Sequence, residues 1–203
     1  MTMQNIERNQ LNLNPRELDR YSRHLSLPEI GIDGQKKLKN SSVLCIGCGG
    51  LGSPLLIYLA AAGVGRIGIV DNDLIEESNL QRQVIHSSNF IGKSKSESAK
   101  LRIQEINPYC NVEIFQELIN NENALKILEL FDIICDCTDN FESRYLINDA
   151  CIILGKPNIY GAVSNFQGQA SVFNLHANSP DLEILFLTHL LQTCFHRAVK
   201  MVF

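Results

Sequence analysis

Residues 41–71 read SSVLCIGCGGLGSPLLIYLAAAGVGRIGIVD, and few folds accept that order. SSVLCIG is apolar and β-branched, which predicts a buried strand ending at Gly47. GSPLLIYLAAAGVG is rich in Ala and Leu and predicts a helix from Gly52, closed by Gly63 and Gly65. RIGIVD is a second strand ending on Asp71. A strand, a tight glycine turn, a helix and a second strand within about thirty residues make one βαβ unit, whose strands must be parallel.

The rest of the chain repeats the theme. Pro15 suits the first position of a helix carrying Arg16 to Leu25, and GIDGQKKLKN is a short polar helix. Ser94 to Ile106 is a helix stopped before Pro108. NVEIFQ is a third strand, NENALKILELF a helix with Asn at its start, and DIICDCTD a fourth strand. FESRYLINDACIILG is a helix ended by Gly155; KPNIYGAV is a fifth strand and GQASVFNL a sixth. Strands alternating with helices define an α/β fold: a doubly wound, mainly parallel Rossmann-like sheet with helices on both faces. A 45% hydrophobic and 20% charged composition over 203 residues allows one sizeable core. The net charge of −4 argues against a nucleic-acid partner. No run resembles a transmembrane span: the longest, near Leu51 to Val64, is broken by Ser53, Pro54 and Gly63. Seven cysteines without a secretory signal point to free thiols in a reducing compartment.

The stretch CIGCGGLG carries two competing signals. Cys45 and Cys48 form C-x-x-C, half of a common zinc motif, yet Cys45 lies within a strand, no second C-x-x-C follows, and Cys135 and Cys137 are spaced by one residue in another strand. Zinc is therefore not expected, and the thiols read as small buried hydrophobes. Gly47, Gly49 and Gly52 form G-x-G-x-x-G after a strand and at a helix start, where backbone approaches a phosphate and the helix N-terminus favours its charge. Asp71 falls where an acid meets ribose hydroxyls.

Further residues gather at the same edge of the sheet. Asn79 and Arg82 follow the second strand, Lys95 opens the next helix, and Asp139 and Asn140 lie just beyond the fourth strand. An NAD oxidoreductase has little need of an extra Arg, Lys and Asp around its phosphates. A triphosphate with Mg²⁺ needs cations on the phosphates and an oxygen ligand on the metal.

The run RYSRH, GCGGLGS, GIVDNDLIEESNLQRQ, GKSKSESA, INP, DCTDN and GQASVF, over residues 15–186, resembles the MoeB/ThiF family, bacterial relatives of ubiquitin-activating enzymes. The resemblance implies adenylation, with ATP and Mg²⁺, of the C-terminal Gly-Gly carboxylate of a ubiquitin-like sulfur-carrier protein of the MoaD/ThiS type, in molybdopterin or thiamine biosynthesis. By the same resemblance Gly50 lies against the nucleotide and Asp71 holds the ribose. Asn79, Arg82 and Lys95 contact phosphates, Asp139 holds Mg²⁺, and Asn140 belongs to the same motif. Arg23 reaches the phosphates of the partner's ATP in a homodimer. The implied location is the cytoplasm or plastid stroma. Each residue has a plainer reading: Arg23 as a solvated helix charge, Lys95 as one of several exposed lysines, Arg82 as a surface Arg, Asp139 as the N-cap of the helix near Phe141. Tyr21 and Tyr145 read as packing residues; His24 and His86 receive no role.

Residues 1–14 are expected to be loose. After Phe186 the chain departs from the family with LTHLLQTCFHRAVKMVF, which lacks Pro and Gly. Read from the third base of each codon, this tail permits D-P-S-P-P-N-L-F-P-S-C-G-E-D-G-V, which resembles the family's next loop. The expectation is a reading-frame break near Leu187, with 187–203 unrelated to the fold, Cys194 a product of the altered frame, and activity reduced or lost. The alternatives are a natural short variant, a non-catalytic nucleotide-binding remnant, an NAD-dependent oxidoreductase, and an enzyme like tRNA threonylcarbamoyladenosine dehydratase.

Overall fold

A computed structural model describes residues 12–176 and 179–184. Expectations for residues 1–11 and for the tail 187–203 lie outside the described residues.

Thirteen elements follow in order: α1 (Pro15–Arg20), α2 (Ser22–Leu25), α3 (Gly31–Asn40), β1 (Ser42–Ile46), α4 (Gly52–Ala62), β2 (Arg66–Val70), α5 (Lys95–Ile106), β3 (Asn111–Phe115), α6 (Ala124–Leu128), β4 (Ile133–Asp136), α7 (Phe141–Leu154), β5 (Asn158–Ser164) and β6 (Gln167–Phe173). They build one six-stranded sheet in the order β3-β2-β1-β4-β5-β6. The first five strands are parallel; β6 returns antiparallel to β5, pairing Asn158 with Phe173 and Ser164 with Gln167. Chain order runs outward from β1 on one side and resumes at β4 on the other, so the β1/β4 junction is the switch point where such sheets open a crevice.

Alternation along each strand explains the two covered faces. Val43, Cys45, Ile67 and Ile69 pack with Leu56 and Ala60 of α4 and Ala99 and Ile103 of α5. Leu44, Ile46, Val70 and Ile134 pack with Ile127 and Leu128 of α6, Phe131, and Ile147 of α7. Gly68 leaves room for the Phe131 ring, which a Cβ there would overlap. The start of β1 is bolted to the start of β4: Asp132 Oδ2 accepts from Ser42 N at 2.9 Å and Ser42 Oγ at 2.6 Å.

Several expectations need correction. The first helix does not run to Leu25; it closes at Tyr21, whose N–H reaches back to Glu17 O, and α2 begins anew. Asn14 caps α1 and forms a capping box with Glu17, and Lys39 Nζ donates to Asn12 O at 3.0 Å, so the end of the 1–14 stretch is pinned. The fourth strand stops at Asp136, because Thr138 N–H turns back to Asp136 Oδ1. Asp139 is not the N-cap of α7. Asn140 is, its Oδ1 accepting from Ser143 N at 2.9 Å. Tyr21 is packed as expected, but Tyr145 is exposed.

Candidate nucleotide site

A cavity of about 590 Å³ opens at the carboxyl edge of the sheet, above the β1/β4 junction. Its floor is the turn from β1 into α4, with Gly47, Gly49 and Gly50 exposed to it. Two glycines make that turn possible. Gly47 has φ +90°, and its Cα side is pressed against the Cys137 carbonyl; a Cβ on Gly52 would overlap the Gly47 carbonyl oxygen. Gly52 thus lies beneath the cavity and shapes it without lining it. The C-x-x-C thiols turn inward: Cys45 Sγ lies 3.9 Å from Cys137 Sγ, and Cys48 Sγ donates to Asp71 at 3.2 Å. Burial, with the Asp71 charge, pushes the Cys48 thiol well above its ordinary value.

Asp71 sits at the exit of β2 and lines the cavity. Its Oδ2 accepts from Cys48 N at 2.8 Å and its Oδ1 from Asp73 N at 2.9 Å, so it braces the glycine turn. A carboxylate has about four acceptor positions, which leaves capacity for ligand hydroxyls. Arg82 lays its aliphatic stem over Gly50, 3.5 Å from where a Cβ would stand, and anchors Nη1 on Ser78 O at 3.2 Å. Lys95 is 7% exposed, in the first turn of α5, its Nζ held by Asp73 Oδ2 at 2.7 Å. A solvated surface lysine is excluded by that burial. Opposite these cations, Asp139 and Asn140 line the cavity from the β4 exit.

Besides Gly52, two expected residues are not brought to this cavity. Asn79 Oδ1 accepts from Glu76 N at 3.1 Å and closes the short 3₁₀ turn Glu77–Asn79 from which Arg82 projects. Arg23 is exposed on α2, outside the cavity lining.

Other contributors went unread in the sequence. Asp73 lies inside GIVDNDLIEESNLQRQ, but nothing there distinguishes it from Asn72. His86 is 8% exposed beneath the glycine turn, bonded through Nε2 to Cys48 O at 3.2 Å and through Nδ1 to Ser98 Oγ at 3.1 Å; burial lowers its pKa. Glu117, Leu118 and Ile119 line the cavity from the loop after β3. Arg144 also lines it, and here a signal existed: Arg144, Ile147, Asn148 and Cys151 recur at helical spacing on the buried face of α7.

A donor set with one carboxylate, Asp139, that has no partner among the described residues suits a Mg²⁺ shared with a phosphate ligand, since that ion keeps waters and takes one or two carboxylates. Among the described residues no three His, Cys, Asp or Glu side chains gather into an all-protein metal cage.

The switch-point crevice, the glycine turn at a helix start and the flanking cations define a protein of the doubly wound class, in which this edge of the sheet is where ligands bind. The sequence pattern of the ThiF family matches residues 21–199, running past Phe186. The chain belongs to the ThiF family. Over 158 residues it is 58% identical to a protein of Porphyra purpurea named "Probable molybdopterin-synthase adenylyltransferase", covering 78% of this chain and 41% of that one. It is 49% identical over 158 residues to the "Sulfur carrier protein adenylyltransferase" of Thermus thermophilus, covering 78% of this chain and 58% of that one. The chain thus spans about half the length of these curated relatives. The fold is similar to the crystal structure of the E. coli tRNA N6-threonylcarbamoyladenosine dehydratase TcdA in complex with ATP, with a TM-score of 0.70 at 22% identity over 74% of this chain and 61% of that one. That likeness concerns the fold alone. Among the described residues no helix is long and apolar enough to cross a membrane.

Proposed function

We propose that the chain is the nucleotide-binding part of an ATP-dependent adenylyltransferase acting on the C-terminal Gly-Gly carboxylate of a ubiquitin-like sulfur-carrier protein. The observation that carries this reading is the convergence of Arg82, Lys95 and Asp139 on one cavity above the glycine turn. The names of the Porphyra and Thermus relatives support it.

The reaction joins a carboxylate oxygen to the α-phosphorus of ATP and breaks the α–β bridging P–O bond, releasing pyrophosphate. The attacking carboxylate is ionised at neutral pH, so no general base is required. Two anions must meet, and the protein's task is positioning and charge neutralisation. The backbone N–H groups of Gly49 to Leu51 face the phosphates. Asp71 takes the ribose hydroxyls. Arg82 and Lys95 offset charge gathering on pyrophosphate, Lys95 leaving or sharing its contact with Asp73. Mg²⁺, where bound at Asp139, screens the phosphates. Asn79 shapes the loop that carries Arg82, and Asn140 fixes the turn that carries Asp139. Arg23, exposed and outside its own cavity, serves the partner's site in a homodimer. The free, buried thiols suit a reducing compartment, the cytoplasm or the plastid stroma.

Calorimetry with ATP, ATP plus Mg²⁺, and NAD provides the test. ATP with Mg²⁺ binds tightest, and Arg82→Ala weakens it by about 1–3 kcal/mol. A preference for NAD overturns the reading.

A further inference from the structure

We propose that Arg144 is a positioning residue that fixes the turn carrying Asp139 and thereby sets the site's response to Mg²⁺. This rests on the nucleotide reading above.

Arg144 is a cation on the buried face of α7, 7% exposed, between the β4 exit and β5. Among the described residues its guanidinium meets no carboxylate. Nη2 and Nε converge on one acceptor, the Thr138 carbonyl, at 2.8 and 3.3 Å. Nη1 reaches the Tyr160 hydroxyl at 3.4 Å, and the group lies over the rings of Tyr160 and Phe141, 5.4 and 5.6 Å from their centroids. The plane of the fork is thus fixed on two sides. From the other direction Asp136 Oδ1 accepts from Thr138 N at 3.0 Å and from Thr138 Oγ1 at 2.7 Å.

Thr138 is therefore clamped at every polar atom, and its carbonyl carbon is bonded to the nitrogen of Asp139. Fixing that peptide plane fixes the direction in which the Asp139 side chain leaves the chain. Asp139 needs this support, because among the described residues its own carboxylate has no partner. An oxygen ligand held only by its backbone is as ordered as that backbone. A lysine at position 144 would keep the charge but not the fork, since an ammonium cannot present two coplanar donors to one carbonyl while stacked between rings.

The measurement is the Mg²⁺ gain: the ratio of ATP affinity in MgCl₂ to that in EDTA, by calorimetry on the full 203-residue chain. Arg144→Lys lowers this gain by about tenfold, the usual loss when a metal ligand's support is removed, so the affinity in MgCl₂ falls further than the affinity in EDTA. In combination with Asp139→Asn it lowers the gain no further than Asp139→Asn alone. A full gain in Arg144→Lys, or a parallel fall in both affinities, overturns the proposal. If Arg144→Lys fails to fold, Tyr160→Phe removes one anchor and keeps the ring; a partial loss of gain is expected, and an undiminished gain overturns the proposal. A wild-type chain that binds ATP in neither medium overturns the nucleotide reading, whereas one that binds ATP without any Mg²⁺ gain overturns this proposal alone; both outcomes show before any variant is made.

Discussion

His86 received no role from the sequence, and its environment shows why it matters. The ring is enclosed between the glycine turn and α5; Nε2 donates to the Cys48 carbonyl, Nδ1 pairs with the Ser98 hydroxyl, and neither nitrogen meets a carboxylate among the described residues. Burial lowers its pKa from the ordinary 6.5, with the nearby Lys95 charge acting in the same direction and Asp71 opposing. The unfolded chain therefore takes up the proton first. Stability that is intact above 6.5 is lost as the pH falls below it. Chemical denaturation between pH 7 and pH 5 reads this loss, and His86→Gln flattens it while costing about 1 kcal/mol at pH 7 for the altered hydrogen bonds. An equally steep acid loss in the variant would assign it to other groups. Asp71 makes a related point. One carboxylate both braces the turn and faces the cavity, so its removal disturbs the cradle as well as any ligand contact.

At the scale of elements, the glycine turn divides its residues into two kinds. Gly52→Ala places a methyl into the Gly47 carbonyl, and the turn must open. The variant is expected to lose several kcal/mol and its nucleotide binding together. Gly50→Ala meets only the flexible Arg82 stem at 3.5 Å, so the melting temperature holds while a methyl now stands where a ligand would lie. ATP affinity falls alone. Thermal melts beside calorimetry separate the two; a fall in both for Gly50→Ala would refute the distinction. The strands and helices were legible because β1, α4 and β2 follow one another with clean periods and glycine punctuation. The breaks were not. Tyr21 ends α1 because its ring is buried and its hydroxyl accepts from Asn107 Nδ2 at 2.9 Å, a contact across 86 positions. Asn140, not Asp139, caps α7 because the choice depends on a turn set by Asp136 and Arg144. The site was legible as a set of residue types at one sheet edge. The contacts of Asp73 with Lys95 and of Arg144 with Thr138 were not, since they depend on loops whose course no periodicity encodes.

For the whole molecule, the position of Arg23 makes assembly part of the proposed chemistry. Arg23→Ala and Asp139→Ala subunits, each inactive in ATP–pyrophosphate exchange with carrier protein and a full-length relative's remaining segments supplied, are expected to recover about a quarter of wild-type exchange when mixed, the share of one intact composite site among random dimers. No recovery would confine Arg23 to its own subunit or remove it from the reaction.

The bolt between Ser42 and Asp132 holds the lower ends of β1 and β4, the two central strands, while the glycine turn hangs from the upper end of β1. In the language of hydrogen exchange, the amides of β1 are expected to become solvent-accessible only when the entire chain unfolds. The loop between β2 and α5, which carries Arg82, exposes far more of its length and is expected to open by local fluctuation. A bound nucleotide then slows deuterium uptake across residues 72–94 and leaves β1 as slow as before. The phosphate cradle is then as durable as the protein itself, and Arg82, on the loop, is the cation that comes and goes.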